Sequence, residues 1–89
     1  MAQLVATNTG RWRVGWSAGT ETGAPSDRIV AALTCHPETA TWQDGVADGG
    51  RRAAMLRSDP ACPANWLVFA LKPGSGEVRL GAITLEPAR

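Results

Sequence analysis

Cys35, His36 and Cys62 have the widest chemical repertoire in this chain, and they are its full complement of cysteine and histidine. A thiolate beside an imidazole makes a nucleophile and base pair, but Cys35 and His36 are consecutive, so in an extended segment their side chains leave on opposite faces. They cannot meet there. Cys62 folded against His36 is the remaining pairing, and an unpaired cysteine more often serves as a small buried apolar residue. The same three side chains, with Glu38 or Asp59 as a fourth donor, form a metal-binding alternative whose spacing fits neither CxxC nor HxxxH. The acidic residues show no paired spacing suited to general acid and base work, and tyrosine is absent. Gly15-Trp16-Ser17-Ala18-Gly19 and Gly45-Val46-Ala47-Asp48-Gly49-Gly50 match neither GxGxxG nor GxxxxGK[ST], so no phosphate loop is expected. The expectation is a protein that is not an enzyme and carries no cofactor.

Charge narrows the partners. The net charge is +1, and every basic residue except Lys72 is arginine. Arg11-Trp12-Arg13 and Arg51-Arg52 suggest a nucleic-acid surface, for which single-strand binders place aromatic and basic side chains together. Strand alternation instead puts Trp12 and Trp16 opposite Arg11 and Arg13. Nucleic acid is therefore not the expected partner, and a binding domain using Arg11, Arg13, Arg51 and Arg52 ranks third among the functional readings.

The elements that must position these residues read as follows. Residues 65–86 are expected to form a β-hairpin, with Trp66 to Lys72 and Glu77 to Leu85 flanking the turn Pro73-Gly74-Ser75-Gly76. Pairing Lys72 with Glu77 puts Leu67, Phe69, Leu71, Val78, Leu80 and Ala82 on a core face, and Trp66, Val68, Ala70, Arg79, Gly81 and Ile83 on the other. A second hairpin over 1–17 turns at Asn8-Thr9-Gly10 and pairs Leu4 with Val14. Residues 28–34 are ambiguous between a capped short helix and a buried strand, with Ile29-Val30 and Pro37 favouring the strand. Trp42, Val46, Gly49, Ala53 and Leu56 recur at intervals of four and three, which predicts a helix over about 41–58 despite three glycines.

The run Asn65 to Leu71 followed by Gly76 to Leu85 resembles the central hairpin of GNAT-type acetyltransferases. That resemblance would imply acetyl-CoA binding, but the family's RxxGxG/A pyrophosphate turn does not follow Leu85. The match is confined to the hairpin.

At 89 residues the chain is expected to be one domain, 1–89, of α+β class. Its architecture would be an antiparallel sheet of four to five strands, made of two β-hairpins (1–17 and 65–86), packed on one helix. The first residues lack a signal-peptide pattern and no apolar run approaches a bilayer span, so the cytoplasm is expected, with Cys35 and Cys62 as free thiols. In a secreted domain a single bridge would join them instead. One helix covers one sheet face. The uncovered face, with Trp66, Val68, Ala70, Arg79 and Ile83, is thus the expected contact surface of a small prokaryotic or phage protein that acts by protein binding. A dimerising adaptor, an inhibitor and an immunity-type factor all fit, with a homodimer as the expected state and no membrane partner. The alternatives are the Cys35/His36/Cys62 metal module and the arginine surface.

Overall fold

Strand alternation governs the regular elements of this chain. The computed structural model describes residues 2–6, 10–59 and 61–88. It contains eight strands: β1 (Ala2–Ala6), β2 (Arg11–Thr20), β3 (Ile29–Thr34), β4 (Gln43–Asp44), β5 (Val46–Asp48), β6 (Arg51–Arg57), β7 (Ala64–Leu71) and β8 (Val78–Ala88). Two four-stranded sheets result, ordered β1-β7-β3-β4 and β5-β6-β2-β8. All pairings are antiparallel. The fold is therefore an all-β sandwich. Among the described residues the one helical segment is a short 3-10 turn, Pro37–Thr39.

The core lies between the sheets and is built from alternate residues. Leu67 and Phe69 of β7 and Ile29, Ala31 and Leu33 of β3 face Val14 and Trp16 of β2 and Ala54 and Leu56 of β6. Trp16 is fully buried, and its ring meets Phe69 edge to face at 5.6 Å. Val78, Leu80, Ile83 and Leu85 of β8 close that side only partly. The chain passes between sheets at Gly45, since β4 pairs with β3 while β5 pairs with β6. Only glycine fits there, because a Cβ would sit 2.6 Å from the Trp16 ring.

The expected α+β class is corrected by this architecture, and the helix over 41–58 is instead β4, β5 and β6. Arg52, Ala54 and Leu56 alternate with Arg51, Ala53, Met55 and Arg57, so the working period is two. Trp42 and Val46 of the supposed helical stripe are exposed. Gly49 and Gly50 both have positive φ, 56° and 86°, the signature of a two-residue hairpin turn joining β5 to β6. The composition of Arg51–Arg57 favours helix, but pairing on both sides overrides that preference.

Neither predicted hairpin forms. β7 and β8 belong to different sheets, so residues 65–86 are two strands joined by a crossover rather than a hairpin. The loop between them is held by Arg28, whose Nε and Nη2 donate to the Lys72 carbonyl and whose Nη1 donates to those of Ser75 and Gly76. Lys72 pairs with Asp44 at 2.8 Å, not with Glu77. Likewise β1 pairs with β7 and β2 with β6 and β8, which dissolves the hairpin over 1–17. Thr7, Asn8 and Thr9 of its predicted turn lie outside the described residues. The ambiguous 28–34 segment is the buried central strand β3.

Candidate functional site

The outer surface of the first sheet begins with the alternation of β7. Because Asn65, Leu67 and Phe69 point inward, Trp66, Val68 and Ala70 point outward. Register then assembles their neighbours: Trp66 lies between Leu4 and Thr34, Val68 lies between Ala2 and Ala32, and Ala70 stands opposite Val30. Across β1, β7 and β3 this face carries no charged residue, and its charges are confined to the β4 edge, where Asp44 stands beside Val30 and pairs with Lys72. Val30, Ala32 and Val68 form a closed floor, while Leu4 and Trp66 are 55% and 37% exposed. Trp66, Val68 and Ala70 thus share one outer face, together with Leu4, Val30, Ala32 and Thr34.

Of the five residues assigned to that surface, Trp66, Val68 and Ala70 share the face and two do not. Ile83 points inward and packs against the core. Arg79 points outward from the second sheet, opposite Gly19. Leu4, which the sequence reading paired with Val14 in a hairpin, joins the face instead. Its signal would have been the pairing of β1 with β7, which nothing local specifies.

The outer surface of the second sheet is the converse. Arg11 and Arg13 of β2, Arg51 and Arg57 of β6 and Arg79 of β8 all point outward, with Asp48 and Glu86 as the acids beside them. Arg13 reaches across Ala53 to form an ion pair with Asp48. Arg51 crosses Gly15 to donate to the Ala82 carbonyl, and a Cβ at Gly15 would lie 3.4 Å from the Arg51 Nη2. Three of the four arginines of the alternative surface thus come together, while Arg52 points inward and donates to the Gly45 carbonyl at 2.7 Å. Arg57 and Arg79 are the members that sequence reasoning left out, because helical spacing hid the alternation of Arg57 with Met55 and Ala53 and the expected hairpin placed Arg79 beside Val68 and Ala70. Beside β5 a groove of about 510 Å³ runs along this surface, lined by Arg13, Val46, Asp48, Ala53 and Met55 among others.

The metal alternative is not assembled. Cys35 and Cys62 are joined in a disulfide, so neither thiolate is available to a metal, and no metal-type cluster of three such side chains occurs among the described residues. His36 is exposed, with its Nδ1 3.7 Å from a Glu38 carboxylate oxygen. The bridge ties the end of β3 to the loop before β7, and the fully buried Asn65 secures that loop from below. Its Oδ1 accepts from the Asp59 amide at 2.9 Å, and its Nδ2 donates to the carbonyls of Asp59 and Cys62.

No helix among the described residues is long and apolar enough to cross a membrane. No protein-family model matches the chain, and neither a curated protein nor a solved structure matches it.

Proposed function

We propose that this chain is a non-enzymatic contact module that docks through the outer face of its first sheet. The observation behind this reading is the absence of charge across β1, β7 and β3, where Leu4 and Trp66 stand above a floor of Val30, Ala32 and Val68. Aromatic residues at the centre of an interface commonly carry most of its energy. The partner that this face suits is a second copy. A two-fold contact sets a patch against itself, which an uncharged face tolerates and an arginine face does not.

Three strands and about six residues of length give a face of roughly 15 by 20 Å, or about 300 Å². That is the size of a functional surface patch, yet it is well below the ~800 Å² per partner of a stable interface. The association is accordingly of the transient class. The disulfide supports an oxidising compartment for this encounter in place of the cytoplasm expected from the N-terminal residues.

Sedimentation velocity over a wide concentration range tests the reading. The wild type should shift toward dimer as concentration rises, and Trp66→Glu should remain monomeric with an unchanged thermal midpoint. A wild type that stays monomeric throughout removes the second copy as the partner. A Trp66→Glu variant that unfolds removes the face itself, since Trp66 would then be core.

A further inference from the structure

We infer that the arginine face of the second sheet binds the phosphate backbone of duplex nucleic acid, independently of the contact proposed for the first sheet. Charge is segregated across the sandwich. Five outward arginines against Asp48 and Glu86 give the face +3, so with a total of +1 the rest of the chain, counting Arg89 outside the described residues, carries −2. A chain that is nearly neutral as a whole therefore presents one strongly cationic surface.

Within that surface Arg11 lies directly opposite Arg57 in register. Like charges facing one another across a ladder are destabilising, and neither arginine has an ion-pair partner among the described residues. An anion between them would remove the repulsion. Guanidinium groups suit phosphate oxygens in particular, since their planar donors can engage two oxygens at once. Arg79, also without an ion-pair partner among the described residues, stands at the other end of the face, eight residues along β2 from Arg11. At ~3.3 Å per residue this is about 26 Å, a span along which a duplex presents roughly 15 charges.

The same face decides which polyanion fits. Trp12 and Trp16 of β2 point inward, so the strands of this face offer no aromatic platform on which unpaired bases could stack, the exposed Trp42 lying outside them, and a single strand loses its main source of affinity there. Gly15, Gly19 and Thr84 keep the face low between β2 and β8, away from the groove beside β5, which suits contact with a backbone. An anionic membrane is less suited, because Leu4 and Trp66, which could enter a lipid interface, lie on the opposite sheet, and the strands of this face expose only Val46 and Met55 as large apolar side chains.

Fluorescence anisotropy with a labelled DNA duplex of mixed sequence provides the test. With Arg11, Arg57 and Arg79 each neutralising one phosphate, log affinity should fall with log salt at a slope near −2.7, so that a fourfold rise in salt weakens binding about 40-fold. The double variant Arg11→Gln/Arg57→Gln should bring the slope to about −0.9, whereas Lys72→Gln, a cation away from this face, should leave it unchanged. Arg57→Glu is the sharpest arm. It should raise the thermal midpoint, because it sets opposite charges across the ladder, and at the same time weaken duplex binding. A purely structural role for Arg57 would not couple those two changes.

The inference is overturned by a wild type that does not bind the duplex at low salt, or by variants that bind as tightly as wild type. It is equally overturned if single strands bind more tightly than the duplex, or if phosphatidylserine vesicles or poly-glutamate compete as effectively at equal charge. The first sheet's contact is unaffected by any of these outcomes, since Trp66 and Arg57 lie on opposite sides of the molecule.

Discussion

The two outer faces of this sandwich share a core and differ in almost everything else. On the first sheet the outward positions of β1, β7 and β3 are alanine, valine, leucine, threonine and tryptophan. On the second, β2, β6 and β8 present arginine at five outward positions, interspersed with Gly15, Ala53, Met55, Thr84 and Glu86. Inward positions are interchangeable in character, because both sheets contribute to one packed layer. What distinguishes the faces is therefore the chemistry of their outward positions, apolar across β1, β7 and β3 and rich in arginine across β2, β6 and β8.

The comparison collapses first if the shared layer is removed. Phe69 is buried against Trp16 and lies on the strand that carries Trp66, Val68 and Ala70. Phe69→Ala should cost about 3 to 5 kcal/mol, a large share of the stability of so small a domain. Chemical denaturation measures it. Loss of both surface activities together is expected, and a cost below about 1 kcal/mol would place Phe69 outside the layer that joins the sheets.

A smaller and more selective break is available at the disulfide. Cys35 and Cys62 are 27 residues apart, and closing a loop of that length stabilises a fold by about 3 to 4 kcal/mol in the chain-entropy account. The bridge anchors the end of β3 and the loop entering β7, both in the first sheet. Cys35→Ser/Cys62→Ser should lower the thermal midpoint, and amide exchange should rise first in β3 and β7 while β2 and β6 stay protected. Uniform loss of protection in both sheets would show that the bridge holds the whole sandwich rather than one side of it.

Only part of this contrast was legible in the sequence, and the boundary is physical. Alternation along β7 separates Leu67 and Phe69 from Trp66, Val68 and Ala70 without any knowledge of the fold, because side-chain direction in a strand is a local property. Partner strands are not local. The Pro73-Gly74-Ser75-Gly76 turn is as compatible with a crossover as with a hairpin, and the crossover found here is held by Arg28, remote in sequence, which donates to the carbonyls of Lys72, Ser75 and Gly76. The arginine face was hidden by the helical reading of 41–58. Spacing of four and three among Trp42, Val46, Gly49, Ala53 and Leu56 coincided with a chain whose true markers were Gly49-Gly50 and the alternation after it. For the cysteines the sequence allowed both a bridge and free thiols, and the proximity that decides between them comes from tertiary structure.

The smallest expected effect gives the most discriminating sign. Asp48 and Arg13 form an exposed ion pair across Ala53, and such pairs contribute about 0.2 to 1 kcal/mol, less as salt rises. Asp48→Asn should therefore lower the thermal midpoint slightly at low salt and not measurably at high salt. On the anion side its consequence runs the other way. Removing one of the two acids from the face releases Arg13 for a phosphate, so duplex affinity should increase and the salt slope should steepen from near −2.7 toward −3.6. The first sheet should not respond, since its contact depends on no charge. If Asp48→Asn instead weakens duplex binding, the acid would be part of a structural scaffold for the arginines rather than a counterweight to them. Loss of self-association in the same variant would mean that the two faces are not independent surfaces at all.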